Sequence, residues 1–536
     1  MLSLRFAATV LAALLPALAA AQQPVAPPVR PDSDGVIQAV EVHRLNIYSP
    51  AEASGFFTRL VNKLHRTTRA AVVNRELLFR PGVVYDSARA AETERNLRSV
   101  GVFRRVKVDS VRTESGLVAR VITADGWTTR PDFRFGSTGS SVYYTVALEE
   151  LNFLGTATKV ALRYRKNPDR TILIGSFQQA RLFSGNVGVS LQYADLSDGS
   201  AGFASLSKPF FALTDRTSWS LATDVRRTRV LRFLGGEEDA SDSLQRRYAI
   251  TYGSAARALR GSPQGYLRVG VSAQVRRDDY AEESRPDTLA RSWTGAVGGF
   301  LLWRRARYLV SSGLTAFGRE EDVDISTAIG VGINLTPKAF GYADNGLVPA
   351  ATIVTGFGRV NHFVQLFATG ALRFSPAGLD SGLVQLAATG FVVPAARHLA
   401  VFHASAGWQA NPAPGAEFDL GLGLGPRAFR QHAFTGDRAF FSSAEYRFTL
   451  TNEALKLSAI GLGAFIDYGG AWWHRSARRS GTDFGLGLRF GPTRATNTKS
   501  TRVDFTYRVK NDAQSGGWVV VVGAGFAFSS SYRLAP

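Results

Sequence analysis

The chain contains no cysteine and only one methionine among its 536 residues. Without cysteine it can form no disulfide framework and has no thiol for an N-terminal lipid anchor, so its stability must come from hydrogen bonding and packing. After residue 21 there is no uncharged apolar run of about 18 residues, which argues against helical membrane spans. What the chain does have is glycine, at 53 residues, and aromatic side chains, at 11%.

Lysine is also scarce. The net charge is +20 and only nine residues are lysine, so almost all of the excess is arginine. A charge of this size is one sign of a nucleic-acid-binding protein. The arginines are, however, spread singly along alternating segments and form no patch. We therefore predict that they face a water-filled lumen or anionic lipid head groups, and we expect no nucleic-acid partner.

Residue patterns for catalysis or metal binding are missing as well. The seven histidines are scattered, without a spacing such as His-x-x-x-His on a helix. No Gly-x-Ser-x-Gly motif is present. The sequence therefore predicts that the protein is not an enzyme and has no catalytic residue, no metal ligand and no cofactor.

The N-terminus has the features of an export signal. One positive charge, at Arg5, precedes an apolar core and three small residues. This order is typical of a secretory signal peptide, here residues 1–21. A membrane anchor is the alternative, but the apolar core is short and is interrupted by Pro16. Residues 22–35 contain four prolines and are predicted to be an extended linker.

Residues 36–130 combine strand and helix patterns. Val36–Val42 alternates as a strand does, and Ser49–Glu52 has the form of a capping box before an amphipathic helix. Two further helices and two short strands are predicted before residue 130. The segment is predicted to be a small α+β domain, and the alternative is a generic soluble module without a function of its own.

From residue 131 to residue 536 the pattern has period two. In one example, Phe484, Leu486 and Leu488 alternate with glycines. A soluble β-sandwich shows the same alternation, but seldom over some 400 residues after a signal peptide. In lipid the sheet must close, because an open edge leaves backbone groups unpaired. At roughly 25 residues per strand and connection, we predict a mainly β fold, an antiparallel transmembrane barrel of about sixteen strands.

One loop arginine and two strand carboxylates stand out in this barrel region. Arg427 lies in the segment Gly425–Arg430, and the two strands that follow carry Glu445 and Asp467 among apolar residues. A planar guanidinium can bind carboxylates through paired hydrogen bonds. The three residues therefore suit a buried lock, and the alternative is that Arg427 is a solvated loop residue.

The last predicted strand, Trp518–Phe528, ends in two aromatic residues, Phe526 and Phe528. We interpret them as a recognition signal for the machinery that assembles barrels. The alternative is an aromatic girdle at the membrane interface, and the same side chains can serve both purposes.

Five segments of the chain carry further motifs. In chain order they are Arg75–Phe79 with Gly82 and Tyr85-Asp86, Glu94–Arg98 with Gly101–Phe103, Leu151–Thr156, Pro426–Phe429 and Phe465–Gly469. In this order the motifs resemble those of the Omp85 superfamily, outer-membrane assembly and translocation proteins with a periplasmic POTRA domain and a bacterial surface antigen (D15) barrel. The resemblance covers roughly residues 36–528.

The resemblance implies a POTRA domain at 36–130 and a loop, the sixth of the family barrel, that folds into the lumen. There Arg427 would reach the strands of Glu445 and Asp467, with Phe429 and Gly469 as the other motif residues. Two positions depart from the family pattern, because Pro426 replaces valine and Ala428 replaces glycine. These departures bring the tight turn of the motif into question.

The function implied by the resemblance is that of an outer-membrane protein assembly factor. It would capture unfolded outer-membrane or exported clients at the POTRA domain and insert them at the seam between the first and last strands. The alternatives are a translocation pore of the two-partner type and a barrel that handles lipids or glycolipids. Expected partners are the clients, outer-membrane lipids and periplasmic accessory proteins or chaperones, and the expected location is the bacterial outer membrane.

Overall fold

The computed structural model describes residues 35–528, with gaps, as an N-terminal unit followed by a β-barrel. The predicted signal peptide, nearly all of the predicted linker and the last eight residues lie outside the described residues. The gaps are residues 54, 139–140, 183–185, 234–239, 286–287, 290–291, 316, 318–319, 423–424, 455–456, 496–498 and 513.

The N-terminal unit is a three-stranded sheet covered by helices. In the sheet order β1-β3-β2, the central strand β3 is parallel to β1 and antiparallel to β2. Asp86 begins the longest helix by accepting a hydrogen bond from the Ala88 amide (2.8 Å), and Gly101, with φ +81°, ends it. The elements are β1 (Ile37–Leu45), α1 (Phe56–Leu64), α2 (Ala70–Arg75), α3 (Ser87–Val100), β2 (Phe103–Thr113) and β3 (Gly116–Asp125).

The core of this unit lies between the helices and the sheet. Its fully buried residues include Ile37, Val73, Leu97 and Val121. Leu97 comes from α3 and Val121 from β3, so the apolar stripe of the helix and one face of the sheet exclude water together. No helix among the described residues is long and apolar enough to cross a bilayer.

The described residues after the N-terminal unit form a closed barrel of twenty strands in which sequential neighbours pair antiparallel. The barrel strands are β4 (Thr129–Thr138), β5 (Ser141–Phe153), β6 (Thr158–Lys166), β7 (Thr171–Leu182), β8 (Val187–Leu196), β9 (Gly199–Lys208), β10 (Thr217–Arg232), β11 (Asp242–Ser262), β12 (Gly265–Glu282), β13 (Thr294–Arg305), β16 (Thr327–Thr336), β17 (Gly346–Arg359), β18 (His362–Ser375), β19 (Gly378–Val392), β20 (His398–Ala410), β23 (Arg438–Ala454), β24 (Ser458–Trp472), β25 (Gly481–Pro492), β26 (Thr501–Arg508) and β27 (Gly517–Ala524).

Two small hairpins are inserted between barrel strands. The first, β14 (Tyr308–Ser312) with β15 (Glu320–Asp324), lies between β13 and β16. The second, β21 (Phe418–Leu420) with β22 (Phe434–Gly436), lies between β20 and β23. A short 3-10 turn, Lys338–Phe340, precedes β17. Neither hairpin is part of the barrel sheet, so both can occupy space inside or across it.

The two faces of the barrel wall differ in chemistry. On β24, Leu462 and Ile466 point outward and are 44% and 50% exposed, whereas Gly463 and Asp467 point inward and are buried. Apolar side chains outside and polar ones inside are what a strand between lipid and a polar lumen requires. The N-terminal unit lies at the end of the barrel where β4 begins, since the Arg69 amide donates to Gly155 in the β5–β6 turn (2.9 Å). We call this end proximal and the opposite end distal.

The barrel closes through a narrow seam. Among the described residues, the last strand, β27, pairs with the first, β4, through two residue pairs, Val521 with Gly136 and Val522 with Phe135. On its other side β27 pairs with β26 through eight residue pairs, from Thr501–Ala524 to Arg508–Gly517. Over the described residues β27 forms fewer ladder pairs with β4 than with β26, so the seam is the weaker of its two lateral contacts there.

The fold prediction is wrong in its strand count and in its N-terminal assignment. The barrel has twenty strands rather than about sixteen, because many connections are much shorter than assumed. For example, β8 and β9 are joined by only Ser197 and Asp198. The N-terminal unit is α+β, but nothing in the described residues identifies it as a POTRA domain, because local hydrophobic patterns define helices and strands without defining a family.

Candidate functional site

Residues 411–437, which join β20 to β23, form a loop that turns into the barrel. We call this segment the inward loop. It starts at the distal end, where it is the eighth strand connection among the described residues rather than the sixth. Arg427, Ala428, Phe429 and Phe434 are at most 1% exposed, so the tip of the loop is buried among inward-facing wall residues.

Arg427 is surrounded by carboxylates from three different strands. Its Nε donates to Asp467 Oδ2 (2.6 Å), its Nη1 donates to Asp504 Oδ2 (2.9 Å), and its Nη2 lies 3.4 Å from Glu445 Oε2. Nη2 also donates to the second oxygen of Asp467 (3.2 Å), which makes that pair bidentate. The guanidinium carbon lies 3.6 Å from the ring centroid of Phe465. An aromatic contact on one face of the cation and hydrogen bonds along its edges fix its position closely.

The carboxylates around Arg427 are shared with further buried arginines. Arg447 Nε donates to Glu445 (2.6 Å), and Arg489 donates to both Glu445 (3.0 Å) and Asp504 (2.7 Å). Arg502 also pairs with Asp504. Isolated buried charges are costly, but mutual pairing and hydrogen bonding offset their desolvation. The cluster therefore depends on its members jointly.

The backbone of the loop tip is held as firmly as the arginine. The Ala428 amide donates to Asp483 Oδ2 (2.9 Å), and Arg508 Nη1 donates to the Ala428 carbonyl (2.9 Å). The left-handed position of the turn is Gly425, with φ +111°, and Ala428 is not among the residues with positive φ. The missing glycine of the family motif is thus unnecessary here, because the strained conformation lies three residues earlier.

Phe429 packs into space that is left by the missing side chain of Gly481. A Cβ on Gly481 would lie 2.2 Å from the Phe429 ring, so a side chain there would displace the ring. Phe434 (ring centroids 5.1 Å apart) and Ala471 complete the contact. Gly469 serves a different purpose, since a Cβ there would lie 2.6 Å from the Phe440 carbonyl oxygen of the adjacent strand.

The structure brings together most of the predicted site residues. Arg427, Glu445 and Asp467 are in direct contact, and Phe429 and Gly469 lie beside them. Whether this contact acts as a functional lock stays a prediction. The sequence reasoning missed the further charged partners, which alternate with apolar residues on β23, β25 and β26 and could have been noticed there: Arg447, Asp483, Arg489, Arg502, Asp504 and Arg508.

The C-terminal aromatics lie elsewhere than predicted. Strand β27 ends at Ala524, and Gly525, with φ +71°, turns the chain away from the wall. Phe526 is 7% exposed and packs with apolar residues of β18–β20, while Phe528 stacks on His403 (4.2 Å between ring centroids). The prediction that the strand runs to Phe528 is wrong. The left-handed turn at Gly525 ends the strand, and both rings pack inside the barrel instead of lying in its wall. Their role as a recognition signal stays a prediction.

The inward loop also reaches the opposite wall. His432 lies between Asp419 of β21 (Nδ1–Oδ2, 2.5 Å) and Asp169 of the β6–β7 connection (Nε2–Oδ2, 3.0 Å). Its ring stacks on Phe233 at 3.8 Å between centroids. The loop is therefore attached to two sides of the barrel, by Arg427 and by His432.

The loop also touches both strands of the seam. Ala428 and Leu422 pack with Val519 and Val521 of β27. On the other side of the seam, a Cβ on Gly136 of β4 would lie 3.2 Å from Leu422. The loop tip thus supports the narrow seam from the inside.

Fold and site together define a closed β-barrel whose interior holds a loop through a buried cluster of ion pairs. No group of three or more His, Cys, Asp or Glu in the described part of the chain could hold a metal ion. No protein-family model matches the chain, and no curated protein matches it.

Several solved barrel structures are similar over most of the chain, at low identity. BamA from Haemophilus ducreyi lacking POTRA domains 1–3 aligns at 10% identity and TM-score 0.39, covering 91% of this chain and 84% of that one. CdiB from Escherichia coli aligns at 10% and 0.43, covering 92% and 77%. CdiB from Acinetobacter baumannii aligns at 11% and 0.40, covering 91% and 73%. Likenesses at these TM-scores carry no argument about family or function.

Proposed function

We propose that this protein is an outer-membrane barrel of the Omp85 type that inserts client β-barrel proteins at its seam. The observation that carries the proposal is the contact of the inward loop with both seam strands, β27 and β4. The Arg427 cluster fixes that loop, and Asp504 of the cluster stands on β26, the neighbour of β27. The loop would therefore control how readily the seam opens.

A seam that has two residue pairs among the described residues is suited to lateral opening. Opening it exposes the edges of β4 and β27, whose backbone groups cost several kcal/mol each if they are left unpaired in lipid. A client strand can satisfy those groups by adding to the edge, as in other cases of β-augmentation. Clients are then unfolded outer-membrane proteins, with outer-membrane lipid and periplasmic accessory proteins or chaperones as further partners.

A reversible lock on the seam tests the proposal. Since the chain has no cysteine, a single disulfide can be introduced at the paired positions with Phe135→Cys and Val522→Cys. Oxidation should stop client assembly in reconstituted vesicles, and reduction should restore it. The matched control is Val503→Cys with Val522→Cys, which joins β26 to β27 and leaves the seam free. Full assembly activity with the seam locked would overturn the proposal.

In the cell, depletion of the protein followed by proteomics of the outer membrane tests the breadth of the role. Broad loss of barrel proteins is expected for a general assembly factor, and loss of one protein for a factor with a dedicated client. Normal assembly of all outer-membrane proteins would contradict an assembly role.

A translocation pore of the two-partner type is the second candidate, and one observation favours it. A cavity of about 530 Å³ lies inside the barrel between the inward loop and the opposite wall, with charged lining residues such as Arg226, Arg246 and Asp419. A pore would carry its client through this space while the seam stays shut. Export that continues in the oxidised Phe135→Cys/Val522→Cys variant would therefore favour the pore over lateral insertion.

A further inference from the structure

The hairpin β14–β15 crosses the proximal end of the barrel. It is inserted where β13 and β16 pair with each other at Arg305–Thr327. From there it reaches the opposite wall, where the Ser500 amide next to β26 donates to the Thr315 carbonyl (2.9 Å). An insertion that contacts both its own strands and distant ones spans the opening between them.

Apolar packing holds the hairpin inside the opening. Leu314, Val323 and Ile325 are buried in one cluster with inward-facing residues of β18, β19 and β20. Gln365 Nε2 of β18 also donates to the Asp324 carbonyl (2.8 Å). The wall makes room for the chain at Gly356, where a Cβ would lie 2.7 Å from Ile325. The hairpin is therefore packed against the inner wall of the lumen.

The chain after β27 fills space beside the hairpin. Phe526 belongs to the same buried cluster, and Arg447 lies over its ring at 3.9 Å. Arg447 Nη2 donates to the Gly525 carbonyl (3.1 Å) and Nη1 donates to Ser500 (3.2 Å). Two segments that do not belong to the barrel wall thus occupy the proximal opening together.

The N-terminal unit holds the hairpin from outside the barrel. Arg98 of α3 forms a bidentate pair with Asp322, from Nε to Oδ2 (2.7 Å) and from Nη2 to Oδ1 (2.9 Å). Arg95 lies over the Tyr308 ring at 4.4 Å. The Arg98 side chain is 11% exposed and that of Asp322 18%, so the pair is largely shielded from water and removing one partner costs more than at a surface pair.

Other contacts place the N-terminal unit across the opening. Glu92 accepts a hydrogen bond from the Leu213 amide in the β9–β10 connection (2.7 Å). Glu76 pairs with Arg181 near the β7–β8 connection (3.3 Å), and Glu52 pairs with Arg494 after β25 (3.0 Å). Because these contacts are spread around the rim, the N-terminal unit lies across the opening and is attached to several sides of it.

We propose that the β14–β15 hairpin is a gate at the proximal end of the lumen, and that Arg98 of the N-terminal unit latches it shut through Asp322. The gate opens when the contact between Arg98 of the N-terminal unit and Asp322 of the hairpin breaks, and the lumen then admits small hydrophilic solutes. This inference needs only a barrel that spans a membrane, so it stands or falls independently of client insertion.

Single-channel conductance of the full chain in planar bilayers tests the gate. Wild type should stay almost closed, whereas Arg98→Ala and Asp322→Ala should each raise the open probability several-fold. Because both changes break the same latch, the double variant should show no further increase. Independent, additive increases would overturn the latch, and so would folded single variants that conduct as wild type does. Heat-modifiable electrophoretic mobility establishes that each variant is folded.

The N-terminal unit offers a matched control. Arg120 and Asp109 form a bidentate pair with two 2.9 Å hydrogen bonds on β2 and β3, and this pair joins two strands of the unit itself. Arg120→Ala removes an ion pair of the same fork geometry, with side chains 37% and 24% exposed, without touching the hairpin. Its conductance should equal that of wild type, and an increase as large as that of Arg98→Ala would assign the effect to general loosening of the unit and overturn the proposal.

A covalent latch supplies the reverse experiment. In the cysteine-free chain, Arg98→Cys and Asp322→Cys can be joined with a bis-maleimide. Before coupling the variant should conduct as the alanine variants do, and after coupling it should be as closed as wild type. Unchanged conductance after complete coupling would show that holding the hairpin does not close the lumen.

Discussion

Two regions of the barrel each contain an Arg–Asp ion pair of the same geometry, but the two pairs differ in their exposure to water. At the β23–β26 wall, Arg427 binds Asp467 through two hydrogen bonds and is 1% exposed. At the β10–β12 wall, Arg226 binds Asp224 with the same fork geometry (2.8 and 2.6 Å), but its side chain is 50% exposed. The inward loop supplies Arg427 and buries the first pair, whereas the second pair faces the cavity.

The difference shows that geometry alone does not decide what an ion pair contributes. A solvated pair gains little, typically about 0–1 kcal/mol, because water competes for both charges. Breaking a buried pair from one side costs about 3–5 kcal/mol, because the remaining charge has no water to replace its partner. The arginine excess of this chain therefore has two roles, solvation of the lumen and attachment of the loop.

The largest effect should come from removing the buried arginine. Arg427→Ala leaves Asp467, Asp504 and Glu445 with one cation fewer and should weaken loop attachment by about 3–5 kcal/mol. The barrel should still fold, because its wall hydrogen bonds are unaffected. Limited proteolysis of the inward loop measures the change. A loop as protected as in wild type, with full activity, would show that Arg427 is not a lock.

The next prediction concerns coupling. Asp467→Asn should loosen the loop in the same way as Arg427→Ala, and the double variant should be about 1–3 kcal/mol less destabilised than the sum of the two. The same proteolysis assay, run as a double-mutant cycle, gives this coupling. Strict additivity would mean that the two residues act separately despite their 2.6 Å contact.

Removing the exposed arginine of the β10–β12 wall should change the stability only slightly. Arg226→Ala removes a fork of equal geometry at an exposed site, so the expected loss is only about 0–1 kcal/mol. The denaturation midpoint and the loop proteolysis rate should both stay close to wild type. A loss of stability comparable to that of Arg427→Ala would show that the exposed pair contributes as much as the buried one, which contradicts the comparison.

The smallest effect on stability is expected from the titration of one carboxyl group, that of Glu92, at the rim. Burial raises the pKa of Glu92 above its usual range, against the lowering effect of its hydrogen bond from Leu213. A raised pKa means that the folded state favours the protonated carboxyl, so the stability that Glu92 contributes is complete below the usual carboxyl pKa and is lost as the pH rises through the raised value. The folded protein should therefore gain a little stability on acidification through this range.

The denaturation midpoint, followed as a function of pH, measures this dependence. Glu92→Gln keeps an oxygen acceptor and removes the titration, so wild type should gain stability on acidification relative to this variant. Midpoints of the two proteins that differ by the same amount at every pH would show that Glu92 does not cause the dependence.

Some of this structure could be predicted from particular residues. Alternation such as Phe484-Gly485-Leu486 identifies strands with one apolar face, because period two is a local property of the extended chain. Asp86 and Gly101 define the ends of α3 for the same reason, since caps depend on neighbouring backbone groups. The encounter of Arg427 with Glu445 and Asp467 was expected only from the resemblance to a family, because nothing local joins a loop to two strands.

The remaining features depend on contacts between residues that are distant in the sequence. The number of strands depends on how short each connection is and on where the sheet meets itself, at Val521 and Gly136. The burial of Arg427 and the exposure of Arg226 depend on which wall the inward loop covers. The inward turn of Phe526 depends on a pocket made by strands more than a hundred residues earlier in the chain. Local residue patterns predict that the chain forms strands with two different faces and show which charges are available for pairing, whereas barrel closure and burial select the charges that hold the loop.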